Sequence, residues 1–437
     1  MLSALEMQSA APVEAPPPPP RVALLVHGHP DYSAGGAEMA AFSLYKAMAA
    51  RNPENTHLVS WISPDRLRTH SRGLVTRVQP GLNEWLYHSE PAEWMYGASA
   101  SRADLHHGLV AFLKEIDPDV VHLHHFLGFG MDTIRLIRLA LPQAKLVMTL
   151  HEYLAICLRD GQMVTTKENR LCTHASPVKC TGCFPHLYRS HFALREEWFR
   201  RHYGLIDQFI SPSEFLKHRY VAWGIPEDKI TVLENAQICV TNPPPKGRIA
   251  DEHLRSTFAF FGQLTPYKGA EVLMDAAAAL AEMVAGEEAL PRPHIVIYGT
   301  TGNQSDEFKA RLAERLEALK GAVEYRGAYS RHEVLDLMTA SGWVLVPSTW
   351  WENSPVVIEE AFHAGRPVIC ADIGGMAEKV EDGVNGLHFR ARDPYDLARV
   401  MLRCLREPDL WDRLRRGVRR LPSLDDSADQ HYAVYAR

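Results

Sequence analysis

Short apolar segments alternate with longer amphipathic segments along most of the chain. Residues 21–27 and 258–261 are apolar runs of strand length, one near the start of each half, and a segment with the spacing of a helix follows each of them. Repeated alternation of strand and helix is typical of a parallel sheet that carries helices on both faces. The pattern therefore predicts an α/β protein with two doubly wound domains and a ligand crevice between them.

The predicted domain boundaries follow changes in composition. Prolines are concentrated at 16–20 and at 243–245, and such segments are typical of extended tails and linkers. We therefore expect a Pro-rich tail over 1–20, an N-terminal domain over 21–240 with an irregular Cys-rich insertion at about 153–190, a linker over 241–256, a C-terminal domain over 257–420, and a C-terminal segment over 421–437 that packs back on the N-terminal domain.

The composition narrows the class of protein. The chain of 437 residues is too long for a single core, which agrees with two domains. Its net charge of −6 argues against a general nucleic-acid binder. It shows no apolar run of transmembrane length and no signal-peptide pattern. We therefore predict a cytoplasmic protein, with peripheral contact to the inner face of the membrane as an open alternative.

Residues 343–365 carry the most informative pattern. A buried parallel strand is predicted at 343–348, followed by a helix whose N-cap is Ser354, whose first residue is Pro355 and which ends at Gly365. A helix N-terminus after a strand end binds anions, because free amide groups and the helix dipole point at the crevice. The pattern therefore predicts a phosphate-binding helix tip.

Two glutamates flank this helix tip. Glu352 lies just before the helix, and Glu360 lies one turn beyond Val356 on the same side. Because carboxylates repel phosphate but accept hydrogen bonds from hydroxyls, they indicate a ligand that carries both groups, with hydroxyls such as those of a sugar and a ribose. The neighbouring Glu359 is predicted to be a solvated surface residue.

Further candidates follow predicted strand ends, where ligands of open parallel sheets bind. Gly35 and Gly36 join the first strand to a helix, His151 follows another strand, and Lys268 lies in the loop 262–269. Glycines permit close approach of a ligand to the backbone, and a lysine meets a phosphate as a point charge. A tight turn, a structural histidine and an exposed lysine are the respective alternatives.

The insertion contains Cys157, Cys172, Cys180 and Cys183. The last two have the Cys-x-x-Cys spacing of a zinc knuckle, and Cys172 or Cys157 would complete a tetrahedral thiolate site. A structural zinc that staples a small lid and a reduced, packed insertion stay open as alternatives. The basic amphipathic segment at 190–202 is predicted to be a solvated helix, with a helix on the membrane surface as the alternative.

Taken together, these motifs resemble the retaining glycosyltransferases of family 4, which have the GT-B fold and are also described as glycosyl transferases group 1. The similarity covers about residues 21–405. The matching pieces are Gly35-Gly36-Ala37-Glu38, His151 after its strand, the loop from Gly262 to Gly269, the pair Glu352 and Glu360 with seven residues between them, and the segment from Pro367 through Gly374-Gly375 to Gly386.

The resemblance implies a role for each matching residue. Lys268 would hold the diphosphate of a nucleotide-sugar donor, Glu352 the hydroxyls of the transferred sugar, and Glu360 the ribose hydroxyls. The remaining implied contacts are His151 near the anomeric centre, Gly36 beside the donor phosphate, and the backbone amides of Ser354, Val356 and Val357 in the donor pocket. The chain has Gln263 where many members have an arginine on the diphosphate, so either another cation or Lys268 with the helix tip carries that charge.

The resemblance implies a GT-B fold, in which two Rossmann-like domains meet at a central cleft. It also implies transfer of a sugar, with retention, from a nucleotide-sugar donor to a saccharide or lipid-linked acceptor in glycan biosynthesis, with no cofactor required for the chemistry. Two other functions stay open: a nucleotide-sugar epimerase or hydrolase of the same fold, and a non-catalytic binding module in a glycan assembly complex. Uracil, guanine and adenine stay open as the base of the donor.

Overall fold

The computed structural model describes residues 19–33, 35–63, 74–235, 252–419 and 421–437. Within these ranges the chain forms two α/β units, each built on a mainly parallel sheet. The fold class predicted from the alternation of strands and helices is confirmed. The predicted tail up to residue 18 and the Pro-rich segment 242–247 of the predicted linker lie outside the described residues.

The first sheet has eight described strands in the order β3-β4-β2-β1-β5-β6-β7-β8. All neighbours are parallel except β3 and β4, which are antiparallel. The central strand β1 is buried throughout, because helices cover both faces of the sheet. The strands are β1 (Val22–Val26), β2 (Thr56–Ile62), β3 (Val75–Arg77), β4 (Glu84–His88), β5 (Val120–Leu123), β6 (Lys145–Thr149), β7 (Gln208–Ser211) and β8 (Ile230–Val232).

The second sheet has six described strands in the order β11-β10-β9-β12-β13-β14, and all of their pairings are parallel. The predicted strand within 343–348 is β12, which is fully buried between β9 and β13. The strands are β9 (Thr257–Phe261), β10 (His294–Tyr298), β11 (Val323–Gly327), β12 (Trp343–Val346), β13 (Val368–Ala371) and β14 (Gly386–Phe389).

Helices fill the connections between strands and cover both sheets. A π-helical turn at His106–Val110 joins α2 to α3, and a 3₁₀ turn at Glu227–Lys229 precedes β8. The described α-helices are α1 (Gly36–Arg51), α2 (Arg102–Leu105), α3 (Ala111–Ile116), α4 (Asp132–Ala140), α5 (Pro177–Cys183), α6 (Arg189–Tyr203), α7 (Glu214–Trp223), α8 (Glu252–Arg255), α9 (Ala270–Met283), α10 (Asp306–Ala318), α11 (Val334–Thr339), α12 (Val356–His363), α13 (Gly374–Lys379), α14 (Pro394–Arg406), α15 (Leu410–Gly417) and α16 (Leu424–Tyr435).

The predicted basic segment at 190–202 is α6, which buries Phe192 and Phe199 against the first domain. Across the described ranges, no helix has both the length and the apolar character required to cross a bilayer. The last helix, α16, packs against α1 of the first domain. The Lys145 ammonium group donates to the carbonyl oxygens of Val434 and Tyr435 at the end of α16, which favours this position because cations stabilise helix C-termini.

Buried charges connect the two domains. The Lys379 ammonium group on α13 donates to Glu359 on α12 at 2.9 Å and also to Glu234, which follows β8 of the first domain. The Glu359 side chain is 1% exposed, so its prediction as a solvated surface residue was wrong. The helix spacing placed Glu359 correctly on α12, but the sequence does not show that α13 brings a lysine to cover it.

Candidate active site

A cavity of about 530 Å³ lies where the C-terminal ends of strands from both sheets meet. Most of the residues predicted to bind a donor line it, although they are far apart in the sequence. The predicted residues that line the cavity are Gly36, His151, Lys268, Glu352, Ser354, Val356, Val357 and Glu360. Gly35 and Gln263 are outside its lining, and the Gln263 residue is exposed.

The C-terminal half of the cavity, comprising Lys268 and residues 348–360, is arranged around the N-terminus of α12. The helix begins at Val356, with Pro355 in an extended conformation at the N-cap position. The prediction that Ser354 is the N-cap was wrong: its hydroxyl donates to Glu359 at 3.1 Å, because the buried carboxylate is a stronger acceptor than the alternatives near the turn. No side chain caps α12, so its first amide groups stay available to an anion.

Lys268 and Glu352 form an ion pair inside the cavity. The Lys268 Nζ atom is 2.6 Å from Glu352 Oε1, which also accepts a hydrogen bond from the Ser348 hydroxyl at 2.8 Å. The Lys268 loop lies against the end of β12, where a Cβ atom on Gly269 would be 1.9 Å from the carbonyl oxygen of Pro347. Glycine, with its φ of +77°, is therefore required for this loop to reach the cavity.

Lys268 is the single lysine or arginine among the described residues that line the cavity. The resemblance implied an arginine at the position of Gln263, and no described lining residue other than Lys268 supplies such a cation. The alternative in which Lys268 and the tip of α12 meet the diphosphate charge together stays a prediction.

Glu360 lies one turn into α12 and is half-buried. Burial raises the pKa of its carboxyl to about 7, and the nearby Arg331 limits the shift. Tyr329, which also lines the cavity, has its pKa raised to about 12 by burial and then by the charge of Glu360. The Glu360 carboxyl therefore gains or loses its proton close to neutral pH.

The N-terminal half of the cavity consists mainly of histidine and glutamate side chains, and His151 is the one that the sequence analysis identified. Its Nε2 atom is 3.1 Å from Nδ1 of His124, and burial lowers the pKa of His151 to about 3. The side-chain amide of Asn353, next to Glu352, donates to the His151 carbonyl oxygen at 2.8 Å. The two halves of the cavity are therefore in direct contact.

The sequence analysis did not identify the other polar residues of this half as site residues. His27 Nε2 lies 3.5 Å from Glu38 Oε1, and His125 Nε2 lies 3.2 Å from Glu152 Oε1. His27, His125 and Glu152 follow the ends of β1, β5 and β6, so the rule that selected His151 would also have selected them. We define the N-terminal half by its ionisable lining residues: His27, Glu38, His125, His151 and Glu152.

The two predicted glycines differ in position. Gly36 lines the cavity, and a Cβ atom there would be 3.5 Å from Val356 Cγ2, so the start of α1 lies across from the tip of α12. Gly35 is the N-cap of α1, and a Cβ atom there would be 2.3 Å from Glu38 Oε2. The absence of a side chain at Gly35 therefore gives the Glu38 carboxylate its place.

The four cysteines of the insertion are reduced and partly buried. Burial raises the pKa of the Cys157 thiol to about 11, with a smaller contribution from Cys172 and Cys180. Among the residues that the structure covers, no group of three or more His, Cys, Asp or Glu side chains is arranged to hold a metal ion. The zinc hypothesis stays a prediction.

The fold and the cleft define a GT-B glycosyltransferase. A family model described as "Glycosyltransferase Family 4" matches residues 34–236, and a second one described as "Glycosyl transferases group 1" matches residues 249–420. The first match ends at residue 236 and the second begins at residue 249, so together they cover both domains. The chain belongs to the family 4 glycosyltransferases, and the prediction that it is a transferase of this class, acting on a nucleotide sugar, is confirmed.

Individual relatives agree with this assignment. A D-inositol 3-phosphate glycosyltransferase from Jonesia denitrificans is 26% identical over 96% of both chains. A protein of the same name from Nocardioides sp. is 33% identical over 41% of each chain. Two solved structures, each 16% identical, share the fold over 95% of this chain: Anabaena HepE in complex with UDP and glucose (TM-score 0.63, 99% of that chain) and sucrose-phosphate synthase from Thermosynechococcus elongatus (TM-score 0.64, 98% of that chain).

Proposed function

We propose that the cavity binds a nucleotide-sugar donor and transfers its sugar with retention to an acceptor that enters from the N-terminal half. The diphosphate lies between Lys268 and the tip of α12, Glu352 accepts hydrogen bonds from the sugar hydroxyls, and Glu360 accepts them from the ribose hydroxyls. One observation carries the proposal: a cation, an uncapped helix N-terminus and two carboxylates line the same cavity.

The ion pair between Lys268 and Glu352 supports this arrangement. An ammonium group has three donors, so Nζ keeps its bond to Glu352 while another N–H donates to a phosphate oxygen. When the sugar leaves the diphosphate, negative charge grows on the phosphate oxygens. Groups held there in advance stabilise that charge more in the transition state than in the ground state, which raises the rate.

We propose a uridine diphosphate sugar as the donor. Support comes from solved relatives of the same fold, among them Anabaena HepE with UDP-glucose and TarM of S. aureus with UDP. Thermal-shift measurements with UDP, GDP and ADP test the base. A larger stabilisation by GDP or ADP than by UDP would show that the base of the donor is guanine or adenine, respectively.

A crystal structure with UDP tests the placement of the donor. We expect the diphosphate within hydrogen-bond distance of Lys268 Nζ and of the Val356 and Val357 amides, and the ribose at Glu360. A diphosphate bound elsewhere, with Glu360 far from the ribose, would contradict the proposal. Incubation of the protein with donor and water alone separates transfer from hydrolysis, because a transferase releases little UDP without an acceptor. The configuration of the sugar in the recovered donor separates transfer from epimerisation, which releases no UDP.

We also propose a structural zinc in the insertion, held by Cys157, Cys172, Cys180 and Cys183. The Cys-x-x-Cys spacing of Cys180 and Cys183 supports it, since such a pair is common in zinc ligand sets. Elemental analysis of protein purified without chelator is expected to find zinc, and the substitution Cys180→Ser to lower it. The buried Cys404, which is remote in sequence from the insertion, gives the matched control Cys404→Ser.

A lipid-linked acceptor and a peripheral membrane contact are a further proposal about the cellular setting. Exposed apolar side chains on the packed helices α5 and α6 support it: Val178 is 59% exposed and Leu194 59%, and Tyr188, which precedes α6, is 76% exposed. Flotation with vesicles that contain anionic lipid tests the contact. Binding that survives the substitutions Tyr188→Ser and Leu194→Ser would place the contact elsewhere.

A further inference from the structure

The N-terminal half of the cavity differs in charge from what a phosphorylated acceptor requires. Its ionisable lining residues are histidines and glutamates, and none of the described lining residues of the first domain is a lysine or an arginine. Proteins recognise phosphate groups mainly with arginine, lysine or a free helix N-terminus. The start of α1 also lines this half, but its first turn carries the Glu38 carboxylate. In the part of the cavity that the structure describes, a phosphate on the acceptor would therefore meet this negative charge and no cation of the first domain.

The histidines do not supply the missing positive charge. Burial lowers the pKa of His27 to about 4, and it lowers the pKa values of His125 and His151 to about 3. All three imidazoles are therefore uncharged at neutral pH. Moving a phosphate dianion from water to a buried surface without an opposite charge is strongly unfavourable, whereas a hydroxyl needs one hydrogen-bond partner there.

Glu152 is held in a fixed orientation within this half. Nδ1 of His125 accepts a hydrogen bond from the Leu127 N–H at 2.9 Å, so the neutral ring has its proton on Nε2 and donates to Glu152 Oε1. The other carboxyl oxygen of Glu152 accepts from the Leu154 N–H. Arg195 of α6 fixes the same loop by donating to the carbonyl oxygens of Leu154 and Ala155.

The insertion leaves little freedom at this point. A Cβ atom on Gly161 would be 2.1 Å from Glu152 Oε2, and the Tyr220 hydroxyl donates to the Glu152 carbonyl oxygen at 2.9 Å. The carboxyl of Glu152 is therefore positioned by the end of β5 and the insertion, and α7 holds its main-chain carbonyl group. A carboxyl positioned in this way, next to neutral imidazoles, is suited to orient a hydroxyl group.

We propose that Glu152, positioned by His125, recognises the reactive region of the acceptor, and that the acceptor presents uncharged hydroxyl groups there rather than a phosphate. The proposal rests on the function proposed above and specifies its acceptor class. It separates this chain from its relative in Jonesia denitrificans, which is named as a D-inositol 3-phosphate glycosyltransferase.

Saturation-transfer NMR on the UDP-loaded full chain tests the acceptor class. The probes are pairs that differ only in a phosphate: myo-inositol and D-inositol 3-phosphate, glucose and glucose 6-phosphate, fructose and fructose 6-phosphate. We expect saturation transfer to at least one uncharged member. Its phosphorylated partner is expected to bind at least about tenfold more weakly. Tighter binding of a phosphorylated member, or no transfer to any uncharged member, would overturn the proposal.

The variant Glu152→Gln tests the role of the carboxyl. It is expected to weaken binding of the uncharged probe about tenfold, while the thermal shift caused by UDP is unchanged. Glu197→Gln on α6, an exposed glutamate that pairs with Arg201, is the matched control and is expected to bind all probes as the natural protein does. Unchanged probe binding by folded Glu152→Gln would remove Glu152 from recognition.

The variant His125→Asn gives a second route should Glu152→Gln not fold. It removes the Nε2–H donor, and we expect the uncharged probe to bind about tenfold more weakly, as in Glu152→Gln. UDP binding distinguishes a failure of the proposed function from a failure of the proposed acceptor class. If UDP gives no thermal shift, the proposed function fails; if UDP binds and the phosphorylated probes are preferred, the acceptor class alone fails.

Discussion

The two halves of the cavity handle charge in opposite ways. The C-terminal half keeps a charged pair, Lys268 and Glu352, beside the free amides of α12, whereas the N-terminal half holds imidazoles whose pKa values burial has lowered far below neutrality. A diphosphate needs fixed positive charge, and a hydroxyl nucleophile needs a dry, neutral surface that orients it. In the proposed function, each domain therefore meets one of the two demands of glycosyl transfer.

The substitution Lys268→Ala is expected to have the largest effect on this contrast. It removes the one described lysine of the lining, and the loss of a charge-assisted phosphate contact costs about 1.5–3 kcal/mol, which lowers kcat/KM by about 10- to 150-fold. Steady-state kinetics with a UDP-sugar checks it. The control Lys309→Ala removes an exposed lysine of α10 that pairs with Asp306.

The difference between the two halves of the cavity predicts a second result for the Lys268→Ala protein. Binding of an uncharged acceptor probe should be the same as in the natural protein, because the lysine belongs to the other half. Kinetics close to normal in the folded variant would show that the helix tip alone stabilises the leaving diphosphate.

Acidification is expected to destabilise the N-terminal half. Since the folded pKa of His27 is lowered to about 4 from 6.5, the unfolded chain binds more protons between these values, so the free energy of unfolding falls as pH drops through this window. For a buried group the effect is on the order of 1–3 kcal/mol. Urea unfolding at pH 7 and pH 5 checks it.

The variant His27→Gln isolates this contribution. Its free energy of unfolding should fall less between pH 7 and pH 5 than that of the natural protein. His186→Gln changes an exposed histidine after α5 and should leave the fall unchanged. Equal falls in all three proteins would mean that His27 is not the group that titrates.

The two halves of the cavity also differ in how well they could be predicted from the sequence. The C-terminal half comes mostly from one continuous segment, so the strand, the helix and both glutamates were predictable from local spacing. The N-terminal half is assembled from the ends of β1, β5 and β6, and its pairs, such as His125 with Glu152, depend on the order of strands in the sheet. Strand order is set by packing over the whole domain, which the residues near each strand do not encode.

Local spacing also has limits within the C-terminal half. It placed Glu359 on the helix but not the buried Lys379 that pairs with it, and it assigned a cap to Ser354 although the hydroxyl donates to Glu359. In both cases the deciding partner lies on another element or deeper in the fold. No strand was predicted between residues 52 and 104, where the structure has β2, β3 and β4.

A smaller effect is expected from Glu360, which sharpens the description of the C-terminal half. Burial raises the pKa of its carboxyl to about 7, so deprotonation above this pH turns it into the stronger acceptor for ribose hydroxyls. UDP affinity should rise as pH increases from 6 to 8, by about fivefold if a charged acceptor adds about 1 kcal/mol. Calorimetric titration checks it.

The variant Glu360→Gln should bind UDP with an affinity that does not change over this range of pH. The same residue has an opposite effect on folding: because its folded pKa lies above the unfolded value of 4.5, the free energy of unfolding falls as pH rises from 4.5 to 7. A UDP affinity of the natural protein that falls with pH would contradict a ribose contact at Glu360.

The smallest predicted effect concerns Ser354 and compares two helix starts. Ser354→Ala loses the hydrogen bond to Glu359 and should lower the free energy of unfolding by about 0.5–1.5 kcal/mol, while UDP affinity is kept because backbone amides bind the phosphate. Ser354→Asp should destabilise the protein more than Ser354→Ala does, since it places a second carboxylate next to the buried carboxylate of Glu359.

Ser305 is a true N-cap, accepting from the Phe308 N–H at 3.3 Å, so Ser305→Asp should be tolerated. Urea unfolding of the variants decides between the two roles: if aspartate is accepted at 354 as well as at 305, Ser354 caps α12 after all.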